Sequence, residues 1–368
     1  MAKQKVDLPQ RDELAESLAD SLNKKSDGKV AFFLDGFDTT PTDLDEFVST
    51  GATMLDLAIS NRPHGGVPLG RIMELTGLEG SGKSLLSAHL LANVQKMGGV
   101  GVLIDTEAAV NAEFFTAVGV DFSSLLYVAL EAIEDIFNYI EHVIEHVRKS
   151  SKDRPVVIVV DSVAGASTRS EIAGDYSKEG YATDKSIIIS RAMRKMTNLL
   201  AQQKILLVFT NQLRQKMNAM PFGDQYTTSG GKAIGFHSSV RLRLSQIKKI
   251  KAGNNVVGTT VKVDVKKNRI GPPHRTAEFD VLFDRGIDDN ASWLKSLKEA
   301  KLVKQAGAWY TYGSGDTEVK FQSKDFSEFL EEDLVRKEEL YQKVCENYIT
   351  SYRTTKDVDF TEEESTED

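Results

Sequence analysis

Between residues 55 and 285, short apolar runs typical of strands alternate with segments whose apolar residues have the period of a helix. This pattern predicts strands that alternate with helices. The short apolar runs predicted as strands are Ile72–Thr76, Val100–Asp105, Leu125–Val128, Val156–Asp161 and Ile205–Thr210. Runs such as Val156–Val160 are apolar on both faces, which is typical of a parallel sheet covered by helices. The pattern therefore predicts an α/β fold with a central, mostly parallel sheet.

The two ends of the chain follow other patterns. Residues 9–25 have the period of an amphipathic helix, and Val30–Leu34 is a short apolar run that predicts a strand. After about Arg285 the pattern predicts short helices and then a Glu/Lys-rich helix around 328–348. The expected parts are an N-terminal helix, strand and linker (1–48), a core (49–285), a small α+β C-terminal domain (286–352) and an acidic disordered tail (353–368).

A glycine-rich segment between a predicted strand and a predicted helix has the spacing G-x-x-x-x-G-K-S. Its glycines let successive N–H groups turn toward a phosphate chain, and the helix N-terminus adds partial positive charge. Lys83 is expected to reach the β and γ phosphates, and Ser84 to ligate Mg²⁺. The residues of this phosphate cradle are Gly77, Glu79, Gly80, Ser81, Gly82, Lys83 and Ser84. The sequence therefore predicts binding of a nucleoside triphosphate.

Polar residues at the ends of other predicted strands extend this site. Asp161 closes an apolar run and has the placement of a Walker B aspartate, which holds Mg²⁺ through water. Glu107 follows the strand Val100–Asp105 and could orient the attacking water, although an exposed loop carboxylate is the alternative. Gln212 could contact the γ-phosphate and bias the order of the long segment 214–232.

The amino-acid composition limits which classes of protein the chain can belong to. At 368 residues, with 40% hydrophobic and 27% charged residues, the chain has the composition of an ordinary soluble globular protein. Its one cysteine, Cys345, excludes an internal disulfide and a Cys-rich metal site. No apolar run approaches the roughly 18 residues that a membrane span needs. We therefore expect a cytoplasmic protein with no membrane partner.

The charge is distributed unevenly. The formal net charge is −8, but seven acidic residues and no basic one lie between Asp357 and Asp368. The segment from Arg241 to Arg275 has ten basic residues and one acid. Such a segment can be a solvated face or a surface for nucleic acid. The sign of the total charge therefore excludes neither kind of partner.

Taken in order, several runs resemble the RecA family of homologous-recombination ATPases, from about Val30 to Tyr348. They are Ser49–Ala58, the phosphate cradle, Asp105–Glu107, Val159–Ala164, Ser190–Lys195, Asn211–Arg214, Thr227–Ala233, Lys267–Ile270 and Gly307–Tyr310. The resemblance implies a RecA-type P-loop ATPase core that uses ATP and Mg²⁺. It also implies an N-terminal helix and strand that pack on the adjacent subunit of a filament.

The resemblance implies a role for individual residues of the ATP site. Glu107 corresponds to the carboxylate that activates water, and Gln212 to the amide that senses the γ-phosphate. Phe114 takes the place of an aromatic ring that stacks on adenine, and Asn111 lies near the base. Lys267 and Arg269 match a basic pair that reaches the neighbour's ATP.

Two loops are implied to bind single-stranded DNA, one from about Gly174 to Lys185 and one from Arg214 to Gly231. Met217 matches an apolar side chain that wedges between base triplets. The candidate DNA-binding residues are Arg194, Arg214, Met217, Gly230, Gly231 and Lys232. This chain departs from the family pattern at four positions: Arg269 for a lysine, Asn111 for an aspartate, Ile187 for an arginine and Gly235 for a lysine.

The function implied is an ATP-dependent recombinase, a DNA-dependent ATPase that forms helical filaments on single-stranded DNA and pairs them with double-stranded DNA. Single-strand-binding and mediator proteins are further expected partners. One alternative is a RecA-fold motor, either a ring helicase or a branch-migration ATPase. Another is a DNA-bound scaffold or co-regulator filament that recruits other proteins.

Overall fold

The computed structural model describes residues 11–26, 28–35, 38, 40, 43–151, 153–174, 181–216, 226–313 and 318–350. Its Cα positions divide into two compact units, Met1–Asp45 and Glu46–Asp368. No helix in the described ranges is both long enough and apolar enough to cross a membrane.

The first unit contains the helix α1 (Glu13–Lys25). Asp12 begins this helix, because its side chain accepts a hydrogen bond from the N–H of Ala15 at 2.9 Å. The predicted helix is confirmed from residue 13 onward. Three leucines at a spacing of four residues lie exposed along α1: Leu14, Leu18 and Leu22.

Val30–Leu34 forms no β-ladder within the described chain, so the strand predicted there, which is expected to pack on an adjacent subunit, stays a prediction. The N–H groups of Val30 and Ala31 instead donate to the Asn23 side-chain oxygen, each at 2.8 Å. A strand needs a partner strand for its backbone groups, and here one amide side chain takes that place. The segment is thereby fastened to α1.

The second unit alternates strands and helices. Its strands are β1 (Phe47–Val48), β2 (Val67–Pro68), β3 (Ile72–Gly77), β4 (Val100–Asp105), β5 (Leu125–Ala129), β6 (Val156–Asp161), β7 (Ile205–Gln215), β8 (Tyr226–Thr228), β9 (Val240–Ala252), β10 (Asn255–Asn268), β11 (Thr276–Leu282), β12 (Gly286–Asp288), β13 (Val303–Ala306), β14 (Trp309–Tyr312) and β15 (Val319–Gln322). Its helices are α2 (Thr53–Ser60), α3 (Lys83–Lys96), α4 (Ala112–Val118), α5 (Ile133–Ser150), α6 (Arg169–Ile172), α7 (Tyr181–Gln203), α8 (Ala233–His237), α9 (Asp289–Glu299), α10 (Phe326–Glu331) and α11 (Leu334–Tyr348).

A large sheet has the order β12-β11-β10-β9-β3-β7-β6-β4-β5, and β8 pairs with the end of β7. Neighbours from β9 to β5 are parallel, whereas β9 to β12 form an antiparallel extension. The five predicted strands are confirmed as β3 to β7. The predicted α/β class with a mostly parallel sheet is confirmed as well.

Each face of this sheet is covered by apolar side chains. Val157 and Val159 of β6 pack on the face that carries α3, and Ile158 and Val160 pack on the face of α5 and α7. Alternate residues of one strand therefore belong to different cores, which explains why the sequence of β6 is apolar without interruption.

The C-terminal part forms a three-stranded antiparallel sheet, β13-β14-β15, with helices around it. Its Trp293 and Phe326 belong to the same apolar cluster as the α3 face of the large sheet. The strand β12, which begins at Gly286, pairs with β11 of that sheet. A boundary at 285/286 would therefore divide a hairpin, and the predicted small domain 286–352 stays a prediction.

Candidate nucleotide site and nucleic-acid interface

The segment Gly77–Ser84 joins β3 to α3 at the carboxyl edge of the parallel strands. Gly80 and Gly82 have φ angles of +71° and +95°, which side-chain-bearing residues rarely adopt. The hydroxyl of Ser81 is buried and has no hydrogen-bond partner within the described chain. An unpaired buried donor is costly, and a phosphate oxygen would satisfy it.

The ammonium group of Lys83 lies inside this turn. It donates to the carbonyl oxygens of Gly77 at 3.1 Å and Leu78 at 2.8 Å. Burial lowers the pKa of Lys83, and the negative charges of Asp161, Glu107 and, to a smaller extent, Glu79 oppose that shift. A half-desolvated cation facing backbone oxygens is a fitting partner for phosphate. The predicted cradle residues are thus brought together.

Asp161 and Ser84, the predicted magnesium ligands, line one small cavity together with Asp105 and Glu107. Asp161 lies at the end of β6, opposite Asp105 at the end of β4. The Thr210 hydroxyl donates to Asp161 Oδ1 at 2.5 Å and fixes that carboxylate. Carboxylate and hydroxyl oxygens are hard ligands of the kind that Mg²⁺ prefers.

Glu107 is held in one orientation. The Ser162 hydroxyl donates to Glu107 Oε1 at 2.6 Å, and Thr106 Oγ1 donates to the Ser162 carbonyl at 2.8 Å. The Glu107 N–H donates to Asp105 Oδ1 at 2.9 Å. A carboxylate oriented in this way, in a cavity beside the predicted magnesium ligands, has the geometry of a general base for water.

Gln212 lies on β7 directly beside Gly77 of β3 in the parallel register. Its side chain is half-buried at the edge where the phosphate cradle begins. The structure therefore has the Gln212 backbone beside the first residue of the cradle, and the contact of its amide with the γ-phosphate stays a prediction.

A second cavity, of about 270 Å³, adjoins the cradle. Phe114 of α4 lines it, and Asn111 begins α4 by accepting a hydrogen bond from the Phe114 N–H at 3.0 Å. The rest of the wall, which the sequence interpretation missed, is formed by Leu85 of α3 and by Thr259, Val261, Val281 and Phe283. An apolar pocket with two aromatic rings beside a phosphate cradle can accept a nucleotide base.

The pair Lys267 and Arg269 lies elsewhere. Lys267 Nζ donates to the carbonyl oxygens of Gly235 at 2.9 Å and Phe236 at 2.7 Å, and Arg269 donates to Phe236. Burial, with the charges of Arg269 and Arg241, lowers the pKa of Lys267 to about 8. Neither residue lines the two cavities at the cradle. The structure therefore does not bring this pair to the chain's own nucleotide site.

The first predicted DNA loop, Gly174–Lys185, is partly corrected. Residues 175–180 lie outside the described chain, and the helix α7 begins at Tyr181. Lys185 is buried and donates to the Ala166 carbonyl, and burial lowers its pKa. The end of this segment is therefore helical rather than a loop, because Lys185 anchors it to the chain beyond β6.

The second predicted DNA loop begins and ends in paired strands. Arg214 of β7 lies opposite Thr227 of β8 in an antiparallel hairpin. The predicted loop is therefore wrong at its ends, because backbone pairing continues past Gln212 on one side and resumes at Tyr226 on the other. Met217, the predicted wedge, lies outside the described residues.

The described candidate DNA contacts are exposed. Arg194 lies exposed on α7 and donates to the Ser190 hydroxyl at 2.9 Å. Arg214 and Lys232 are also exposed. Gly230 and Gly231 have φ angles of +80° and +76°, which end the hairpin in a turn against α7. Exposed cations around such a turn can bind phosphates of a nucleic acid.

The cradle, the strand-end carboxylates and the parallel sheet define a P-loop nucleoside triphosphatase. The sequence model of the RecA N-terminal domain matches residues 15–288. The chain belongs to the RecA family, which confirms the resemblance seen in its motifs.

Curated relatives cover most of the chain. Protein RecA of Caldanaerobacter subterraneus subsp. tengcongensis is 35% identical over 84% of this chain and 87% of that relative. Protein RecA of Synechococcus elongatus is 39% identical over 74% of this chain and 72% of that relative. Protein RecA of Trichormus variabilis is 34% identical over 87% and 88%, respectively.

Proposed function

We propose that this protein is an ATP-dependent recombinase that forms helical filaments on single-stranded DNA and catalyses homologous pairing and strand exchange. The observation that carries the proposal is the course of β7. This strand has Gln212 beside Gly77 of the phosphate cradle and continues, two residues later, into Arg214 of the hairpin predicted to bind DNA. One rigid element thus joins the nucleotide site to the DNA site.

ATP and Mg²⁺ are the proposed cofactors. Bound Mg²⁺–ATP supplies a phosphoanhydride and a cation that neutralises developing charge. Lys83 holds the phosphates, while Ser84 and Asp161 hold the metal. Glu107 accepts a proton from water at the carboxylate that Ser162 orients, and Phe114 and Phe283 enclose the base. The unpaired Ser81 hydroxyl supports this assignment of the cradle.

The proposed filament uses residues that lie outside the chain's own nucleotide site. Lys267 and Arg269 reach the ATP of the neighbouring subunit, and the exposed leucines of α1 pack on that neighbour. Arg194, Arg214 and Lys232 bind DNA phosphates without regard to sequence. Homology is then tested by base pairing. Double-stranded DNA is the second substrate, and single-strand-binding and mediator proteins are further partners.

The relatives are named protein RecA, which favours the recombinase over a ring helicase or a branch-migration motor. A scaffold role is compatible with the same filament. Glu107 and its Ser162 contact favour a filament that also hydrolyses ATP.

The first test is steady-state ATP hydrolysis without DNA, with single-stranded DNA and with duplex. We expect strong stimulation by single-stranded DNA, since the inter-subunit site is completed on DNA. Lys83→Ala should abolish turnover, whereas the matched control Lys96→Ala, at the exposed other end of α3, should not change it. Turnover that is indifferent to DNA would contradict the recombinase.

A further inference from the structure

Glu74 is a fully buried carboxylate on β3, three residues before the phosphate cradle. Its Oε2 accepts a hydrogen bond from Arg241 Nε at 2.6 Å, and its Oε1 accepts one from Asn211 Nδ2 at 3.2 Å. A buried carboxylate is costly unless both oxygens are paired. Glu74 therefore fixes the positions of two side chains that lie on the strands either side of β3.

Asn211, also fully buried, is hydrogen-bonded to Ser229 at the end of the β7–β8 hairpin that is predicted to bind DNA. Its Nδ2 donates to the Ser229 carbonyl at 3.0 Å, and its Oδ1 accepts from the Ser229 N–H at 3.2 Å. Both backbone polar groups of Ser229 are thus bound by one amide. That amide belongs to the residue next to Gln212, the candidate γ-phosphate sensor.

Arg241 packs against Gly235, which lies six residues after Ser229 in the chain. A Cβ placed on Gly235 would lie 2.8 Å from the Arg241 guanidinium carbon, so the guanidinium packs directly on the Gly235 backbone. The Gly235 carbonyl also accepts a hydrogen bond from Lys267 Nζ. Gly235, where the family pattern has a lysine, leaves the space that this packing needs.

We propose that Glu74 is a positioning residue that holds the segment 229–236 to the phosphate-cradle strand and thereby couples nucleotide binding to DNA binding. Lys232, a candidate DNA contact, lies in the middle of this segment. A displacement of Gln212 moves the adjoining Asn211 amide and so Ser229, while a displacement of Lys267 releases the Gly235 carbonyl. The inference rests on the proposed function and names how its two sites communicate.

The test compares the affinity for fluorescein-labelled single-stranded DNA in ADP and in a non-hydrolysable ATP analogue. In the wild type the analogue should tighten DNA binding. Glu74→Gln should retain its affinity for both nucleotides but lose about 5-fold or more of that tightening, a usual size for allosteric coupling. Glu278→Gln is the matched control and should behave as the wild type. Glu278 is on β11, and its carboxylate lies 3.3 Å from the Lys295 ammonium group.

Asn211→Ala provides a second route if Glu74→Gln does not fold, because it removes the Ser229 contacts and leaves the Glu74–Arg241 pair. It should lose the tightening as well. The double variant Glu74→Gln/Arg241→Gln should melt at a higher temperature than Arg241→Gln alone, since it leaves no unpaired buried charge. A double variant that melts no higher would overturn the pairing on which the proposal depends.

The outcomes separate the two proposals. Full tightening in the folded Glu74→Gln and Asn211→Ala variants would overturn the positioning role and leave the recombinase intact. A wild type whose DNA affinity ignores the nucleotide would instead overturn the proposed function, and the inference with it.

Discussion

Ser162 lies between two residues of the nucleotide site, Asp161 and Glu107. It follows Asp161 in the chain, its hydroxyl donates to Glu107, and its N–H donates to Thr106 Oγ1 at 3.0 Å. The orientation of the Glu107 carboxylate thus depends on one hydroxyl. We infer that Ser162 contributes to hydrolysis by orienting the base.

Glu107→Gln should lower kcat for DNA-stimulated ATP hydrolysis by about 10²-fold or more, because an amide cannot take a proton from water. Ser162→Ala should lower kcat less, since the carboxylate remains but loses its orientation. Both should leave the affinity for ATP nearly unchanged. Steady-state hydrolysis and nucleotide titration check this, with exposed Glu113→Gln and Ser150→Ala as controls. A lower ATP affinity with unchanged kcat would contradict these roles.

Asp161, Glu107 and Gln212 could be predicted from the sequence because each ends or follows an apolar run. The carboxyl ends of parallel strands meet at one edge, so those residues had to lie close together. Ser162 and Phe283 could not be found in this way. Their contacts depend on a side-chain rotamer and on the register between β10 and β11, which no local pattern encodes.

The helix α7 and the end of the DNA hairpin pack closely together. A Cβ placed on Gly230 would lie 2.6 Å from Ile189 Cδ1 of α7, which is closer than any real contact. A Cβ placed on Gly231 would approach the Ser186 hydroxyl at 3.1 Å. The turn at 230–231 is therefore packed against α7, just after the end of the first segment predicted to bind DNA.

Gly230→Ala should weaken single-stranded DNA binding and destabilise the fold by more than the ~1–2 kcal/mol of a left-handed backbone alone, because the buried Ile189 side chain of α7 must also move. Gly253→Ala isolates the backbone cost: Gly253 has a φ of +61° and open space around its Cα. Its variant should bind DNA normally. Fluorescence anisotropy and chemical unfolding measure the two effects. Equal losses in both variants would show that the contact with α7 is unimportant.

Among the secondary-structure elements, the hydrophobic pattern identified the strands of the parallel sheet. It did not identify structure that depends on hydrogen bonds to another segment. The run Val30–Leu34 has the composition of a strand, but Asn23 takes its first two N–H groups. The residues after Gln212 have the composition of a loop, but β8 pairs with them. Both outcomes depend on contacts with another segment of the chain, which the periodicity of the segment itself does not encode.

Two aspartates, the buried Asp56 and the half-buried Asp289, lie where α2 meets its neighbours. Asp289 of α9 accepts hydrogen bonds from the Thr53 N–H at 2.8 Å and the Thr53 hydroxyl at 2.6 Å. Asp56 accepts hydrogen bonds from the Thr50 N–H at 2.8 Å, the Thr50 hydroxyl at 2.7 Å and the Ser49 hydroxyl at 2.5 Å. Burial raises the pKa of Asp56 to about 7 and that of Asp289 to about 6. Both carboxyls thus hold protons in the folded state that the unfolded chain would release.

The free energy of unfolding should therefore fall as pH rises from about 4 to about 7. A raised folded-state pKa means that the stabilisation is complete below the unfolded pKa, about 3.9, and is lost as pH passes the folded value. Asp56→Asn should flatten this dependence, whereas Asp20→Asn on the exposed face of α1 should retain it. Urea unfolding at several pH values measures the slope. An unchanged slope in Asp56→Asn would contradict its raised pKa.

Charge at the level of the whole chain is divided between a basic segment and an acidic one. The strand β9 has exposed Lys248, Lys249 and Lys251, while residues 357–368 have seven acids and no basic residue. Opposite charges of this density on one chain attract each other when salt is low. The acidic segment should therefore compete with DNA for the basic surface.

Truncation after Lys356 should tighten duplex binding in low salt, about 10 mM, where the Debye length is ~30 Å, and should have little effect at about 1 M, where it is ~3 Å. A full-length variant with the seven acids changed to Asn and Gln should match the truncation, because charge rather than length causes the competition. Duplex affinity measured across a salt series decides between the explanations. If both variants bind duplex as the wild type does at low salt, the segment does not compete with DNA. If only the truncation binds more tightly, chain length rather than charge limits access to the basic surface.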